Sequence, residues 1–293
     1  GAWHSCEMNQ IQNTIKKTSF FATAQVMKIM SILITGSEGL IGSSLKSSLT
    51  KLGFFVRGFD IRGKKEDKGD ILDKSALASA LKGAQGIIHL AAVSRVVEGE
   101  KNPILCWQTN VEGTKNIIEE ALDSSHSPWL VYASSREVYG NQENFPIREN
   151  ASLCPINHYG KSKLEGERLV LEAQKRVLRA AIIRFSNVYG SLNDHPDRVV
   201  PAFCRAAAEG SAIQIKGERH LFDFTHVEDV VGGVISFIDL LAKKKEIPPV
   251  LHLASGKPYS LLDLAHIAKR ESFYDVPLFV TPSCSFNVTQ FWG

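Results

Sequence analysis

The chain has 293 residues, 44% of them apolar, and a formal net charge of +3. That length buries a sizeable core, as one large domain or two small ones, and no basic stripe interleaved with aromatics marks a nucleic-acid partner. No apolar run reaches the roughly 18 residues that cross a membrane, which excludes an integral membrane protein.

Residues 1–29 carry Lys16-Lys17 and a short apolar patch broken by Thr23 and Gln25, with no cleavage site after it. They are expected to lie outside the core fold, with Met30 as the natural start. Met30 to Thr35 is a strand pattern, followed by Gly36-Ser37-Glu38-Gly39-Leu40-Ile41-Gly42 and a helical run through Leu45, Leu49 and Leu52. Gly36 permits a tight turn, Gly39 lets a pyrophosphate approach the backbone, and Gly42 lets helix and strand pack closely. The first turn of that helix, Leu40 and Ile41 included, offers free N–H groups to phosphate. A second strand, 54–59, ends in Asp60, about twenty residues past the glycines and suited to accept a ribose hydroxyl. Its charge repels a 2′-phosphate and favours NAD over NADP, with Arg57 and Arg62 as the residues that would serve the phosphorylated cofactor.

Further strands are expected at 86–91, 129–133, 180–185 and 249–253, with helical patterns between them. Such alternation implies a parallel sheet covered by helices on both faces, with ligands beyond the strands' C-terminal ends. The 129–133 run ends at Ser134-Ser135, and Tyr159-Gly160-Lys161-Ser162-Lys163 follows. Residues four apart share a helix face, so the Tyr159 phenol and the Lys163 ammonium lie side by side. A nearby cation favours phenolate, and a tyrosine so tuned, with a serine hydroxyl at the same substrate oxygen, takes a proton from an alcohol while a cofactor takes the hydride. The five cysteines, Cys6, Cys106, Cys154, Cys204 and Cys284, and the nine histidines show no metal or redox spacing. No metal is expected, and the scattered thiols imply a reducing compartment, the cytoplasm.

From about Ser31 to Ala265 these motifs, in this order, resemble those of the extended short-chain dehydrogenases/reductases, the nucleotide-sugar epimerases and dehydratases. Others join them: Gly69-Asp70-Ile71-Leu72-Asp73, Ile87-Ile88-His89-Leu90-Ala91-Ala92, Asn110-Val111-Glu112-Gly113-Thr114, Ser134-Ser135-Arg136-Glu137-Val138-Tyr139-Gly140, Arg184-Phe185-Ser186-Asn187-Val188-Tyr189-Gly190 and Asp223-Phe224-Thr225-His226. The resemblance implies an α/β fold, a Rossmann-like doubly wound parallel sheet with a smaller C-terminal substrate domain. The NAD-binding part would be 30–188 with 223–254 returning to it, and the substrate part 189–222 and 255–293, the last helix lacking. Asp70 and Ile71 would flank adenine, while Leu90, Ala91, Ala92, Asn110 and Phe185 would complete the cofactor site. Ser135, Tyr159 and Lys163 would be catalytic, and Ser134, Ser135 and Asn187 would meet the substrate, a nucleotide-diphosphate sugar. Glu137 matches the base of dehydratases, which keeps dehydration or decarboxylation beside 4-epimerisation; an inactive sugar site is a third reading. The diphosphate arginine of the family is Phe222 here, with Arg219 three residues earlier as its substitute. A homodimer is implied through helices at about 103–123 and 158–175, with Ile117, Ile118, Leu164 and Leu169 as apolar contacts.

Overall fold

The structure, a computed structural model, describes residues 30–191, 194–282, 285 and 287–293. The expected N-terminal extension, Cys6 and Cys284 lie outside them.

Six parallel strands form the central sheet: β1 (Ser31–Thr35), β2 (Phe55–Phe59), β3 (Gly86–His89), β4 (Trp129–Ser135), β5 (Ala180–Phe185) and β9 (Val250–Leu253), in the order β2-β1-β3-β4-β5-β9. Strict alternation of side chains builds the two faces. Ile32 and Ile34 of β1, Ile88 of β3, and Val131 and Ala133 of β4 pack with helices α1 (Leu40–Lys51) and α8 (Val227–Ala242). Leu33, Ile87, Leu130 and Tyr132 face the other way, onto α2 (Lys74–Leu81), α5 (Gly113–Asp123) and α6 (His158–Lys175). Burial on both faces explains why these strands read as continuous apolar runs. After β2, where the sequence carries a charged loop, strand pairing shrinks to one bridge between Asp60 and Lys68.

The helical stretch expected at 103–123 is built in three parts: α4 (Pro103–Trp107), a π-helical turn (Gln108–Glu112) and α5. The wider turn carries Asn110 inward, where its Oδ1 accepts from Val93 N at 2.8 Å and its Nδ2 donates to Val93 O at 3.1 Å. This fastens the backbone after β3, beside short α3 (Val96–Lys101). His89, fully buried at the end of β3, bridges Thr35 Oγ1 (2.7 Å) and Thr114 Oγ1 (2.9 Å), and burial, reinforced by the Lys163 charge, pushes its pKa down to about 3.

The smaller part holds β6 (Asn187–Tyr189), α7 (Val199–Glu209), β7 (Ile213–Lys216), β8 (Leu221–His226), β10 (Pro258–Ser260), α9 (Leu261–Arg270), β11 (Leu278–Thr281) and β12 (Gln290–Phe291). β8 pairs with β6, β10 and β12, so residues 223–226 belong to this small sheet, and the chain rejoins the large sheet's face only with α8. The buried Asp223 carboxylate ties the two parts, accepting Ser255 N at 2.8 Å and Gly256 N at 2.6 Å beyond β9. The C-terminal segment also closes this core: Phe291 is buried against Tyr139, and Trp292 stacks on Phe145. Of the four residues expected at a dimer interface, Ile117 and Ile118 are buried and Leu164 and Leu169 are partly buried. Ile117 and Ile118 belong to the core under the sheet, Leu169 packs on it, and Leu164 packs against the core of the smaller part.

Candidate active site

A cavity of about 470 Å³ opens at the C-terminal ends of β1, β3, β4 and β5, where the strand order changes direction between β1 and β3. One end is the glycine turn. Gly36 has φ +71°, and a Cβ there would lie 2.6 Å from Ala91 N; a Cβ on Gly42 would collide with Gly36 O. Both positions are therefore closed to any side chain, and the turn stays flat against the backbone of Leu90 and Ala91. Helix α1 starts at Gly39 with no side-chain cap, so its first-turn N–H groups face the cavity edge formed by Leu40, Ile41 and Gly42. A dinucleotide's pyrophosphate fits this cradle.

Asp60 ends β2, only 6% exposed, with Oδ2 accepting Glu38 N at 3.0 Å and Oδ1 accepting Arg62 N at 2.9 Å. The backbone thus fixes the carboxylate where a ribose hydroxyl would meet it. Of the two arginines weighed for a phosphorylated cofactor, Arg57 is turned away, donating to Ser79 O and Ala80 O, while Arg62 Nε lies 3.6 Å from Asp60. Leu90, Ala92 and Phe185 line the cavity and Ala91 backs the turn. The Ile71 side chain is buried in the core, and its carbonyl takes Asn116 Nδ2 at 3.0 Å; Asn110 is committed to Val93 and to Ser162 Oγ, 2.9 Å away. Asp70 is exposed beside Ile71, accepting Leu72 N at 2.9 Å.

The other end gathers Ser135, Tyr159 and Lys163. Asn157 caps α6 by accepting Gly160 N at 2.7 Å, which sets Tyr159 in the first turn facing the end of β4. Tyr159 is buried, and burial pushes its pKa up to about 12, against the pull of a hydrogen bond to Ser135 and the charge of Arg198. Lys163 follows four residues on in the same helix and is buried. Its ammonium donates to Ala133 O at 2.8 Å and sits over the Tyr132 ring at 5.1 Å, and burial brings its own pKa down to about 8. A cation placed in the cavity beside the phenol would pull it toward phenolate.

Glu137 lines the cavity with both oxygens engaged: Arg136 Nη2 is 2.9 Å from Oε1, and Asn157 Nδ2 donates to Oε2 at 2.7 Å. Arg136 also donates from Nε to Asn187 Oδ1 at 2.8 Å and lies over the Phe222 ring at 4.4 Å. Asn187 is thus a cavity residue, as expected, but its side chain holds Arg136. Arg219 is not part of the site; its side chain is 94% exposed. Ser134, one step before Ser135 along β4, also lines the cavity and gives its hydroxyl proton to buried Glu167 at 2.5 Å. Glu167 receives Arg184 Nε at 2.8 Å and Nη2 at 2.6 Å, and Arg184 Nη1 donates to Tyr139 Oη at 2.6 Å. This buried network underlies the catalytic strand.

Sequence reasoning missed the cavity roof. Arg95 pairs with Asp197 and Glu98, while Arg198 lies 3.5 Å from Asp194 and donates to Ser94 O at 3.3 Å. These contacts join the loop after β3 to the loop before α7. Asp194 Oδ2 is buried without a hydrogen-bond partner, and burial raises the carboxyl's pKa. Asn287 lines the same cavity from the C-terminal segment. Nothing local in the sequence folds the Asp194-His195-Pro196-Asp197 loop back on Arg95. Among the described residues no group of three His, Cys, Asp or Glu side chains stands together, and no helix is long and apolar enough to cross a membrane.

The sequence is 27% identical over 282 residues to the UDP-glucose 4-epimerase of Lactobacillus helveticus, covering 86% of this chain and 85% of that protein. It is 28% identical over 257 residues to the dTDP-glucose 4,6-dehydratase of Streptomyces antibioticus, covering 80% and 75%. The fold resembles that of MoeE5 in complex with UDP-glucuronic acid and NAD, with a TM-score of 0.79 at 26% identity over 89% of this chain and 88% of that one. The model of the NAD dependent epimerase/dehydratase family matches residues 32–248, from the first strand of the large sheet to the segment before its last, so the chain belongs to that family and is an NAD-dependent enzyme.

Proposed function

We propose that the protein inverts C4 of a nucleotide-diphosphate sugar through a transient 4-keto sugar. Bound NAD supplies the hydride acceptor and donor, and a positive charge beside the phenol. Ser135 orients the C4 hydroxyl; Tyr159 takes its proton and returns it once the keto sugar has turned, while Lys163 braces the end of β4 through Ala133 O. The observation that carries this reading over dehydration is the state of Glu137, whose two oxygens are already held by Arg136 and Asn157. A general base must reach the proton it removes, and this carboxylate is tied on both sides. Turnover of the Glu137→Gln variant on UDP-glucose and UDP-glucuronate decides: epimerisation predicts a change of less than about 10-fold, whereas a base would cost about 10²–10⁴-fold.

The oligomeric reading moves to new residues. Ile104, Leu105 and Trp107 on α4 are 72%, 46% and 44% exposed, and Leu171 on neighbouring α6 is 36% exposed. Such a patch fits the apolar centre of a homodimer interface. Trp107→Asp is expected to give a monomer in light scattering where the parent is a dimer; a parent that is monomeric, or a variant that stays dimeric, contradicts this.

A further inference from the structure

Arg136 is built into the cavity wall as a recognition group. Its guanidinium is closed on one face by the Phe222 ring at 4.4 Å and held along its edge by Asn187 Oδ1 and Glu137 Oε1. Nη1 is left buried with no hydrogen-bond partner. Leaving a charged donor unmatched in a buried place is costly, so a site constructed this way calls for an acceptor. The other cations of the cavity are answered: Arg95 by Asp197 and Glu98, Arg198 by Asp194 and Ser94 O, Lys163 by Ala133 O. Among the described residues Arg136 is the one cavity-lining cation with a buried, unpartnered donor.

Its place in the chain says which part of the substrate it would meet. Arg136 directly follows Ser135, which hydrogen-bonds Tyr159, and precedes Glu137, whose charge Tyr159 feels. It therefore stands beside the groups proposed to meet the reacting sugar. We propose, resting on the nucleotide-sugar reading above, that Arg136 selects a sugar bearing a carboxylate, a nucleotide-linked uronic acid, by pairing with that carboxylate. Asn187 and Phe222 hold the guanidinium, and Asn157 shares the Glu137 charge.

The test is calorimetric binding of UDP, UDP-glucose and UDP-glucuronate to the NAD-loaded protein and to Arg136→Met. A charge-assisted hydrogen bond predicts UDP-glucuronate bound about 10- to 100-fold tighter than UDP-glucose, a preference lost in Arg136→Met with UDP affinity unchanged. Should Arg136→Met fail to load NAD, Arg136→Lys replaces it, keeping the charge without the planar fork, and the preference falls to a few-fold. Equal affinity of the parent for the two sugars, or a preference that survives the substitution, overturns the proposal while leaving the nucleotide-sugar reading intact. Loss of UDP affinity equal to that of UDP-glucuronate assigns Arg136 to the diphosphate and overturns it as well. Failure of the NAD-loaded parent to bind UDP overturns both.

Discussion

Replacing Tyr159 by phenylalanine is expected to lower turnover by about 10²–10⁴-fold, the range for removal of a positioned general acid or base, with NAD affinity changed by no more than a few-fold. The phenol is the one group at the end of β4 placed to move the substrate's proton: it is buried, hydrogen-bonded to Ser135 and set in the first turn of α6 by the Asn157 cap. Its pKa near 12 means that these residues alone hold the proton on tyrosine at neutral pH. A positive charge on NAD bound beside the phenol would shift it toward phenolate and couple proton removal to cofactor occupancy. In the proposed reading NAD would be held elsewhere, by the uncapped start of α1 and by Asp60, so its binding is expected to be spared. Stopped-flow turnover beside fluorescence titration of the cofactor checks both halves. Turnover within tenfold of the parent removes Tyr159 from the chemistry.

Removing one partner of the Glu167–Arg184 pair is expected to cost about 3–5 kcal/mol of stability, because the partner left behind is a buried uncompensated charge. The side chains are 2% and 3% exposed and meet through two hydrogen bonds, at 2.8 and 2.6 Å. Glu167→Met leaves the Arg184 guanidinium with only Tyr139 Oη and Glu149 O as acceptors, and strips Ser134 of its partner. The double variant Glu167→Met with Arg184→Met removes both charges at similar volume, and its cost falls well below the sum of the singles. Denaturant unfolding of the four proteins measures the coupling; strictly additive effects contradict it. Because Ser134 precedes Ser135, the single variant also loosens the strand end that presents the catalytic serine.

Arg184 illustrates where sequence reading stops. Its motif is legible and falls at a strand end, which by itself places it among ligand contacts; only the fold shows that its side chain points to the opposite sheet face, into Glu167. Ser134 and Ser135 teach the same point, since one step along a strand reverses the side chain. The large sheet was legible because its inner strands β1, β3, β4 and β5 are buried on both faces and read as apolar runs. Gly36 and Gly42 were legible because their demands are local, a positive φ at one and a close approach at the other. Arg136 stacking on Phe222, and Arg95 pairing with Asp197, join segments far apart in the chain, so no local pattern encodes them. The burial of Ile117 and Ile118 was illegible for a related reason. An apolar residue on a helix fits the sheet or a partner equally well until the helix's rotation about its own axis is known.

Product stereochemistry, followed by NMR in deuterated water with NAD and UDP-linked sugars, tests the proposed reaction most directly. Inversion at C4 with no deuterium in the product is the predicted result. A 4-keto-6-deoxy product carrying solvent deuterium would contradict it and make Glu137 a base despite its contacts with Arg136 and Asn157.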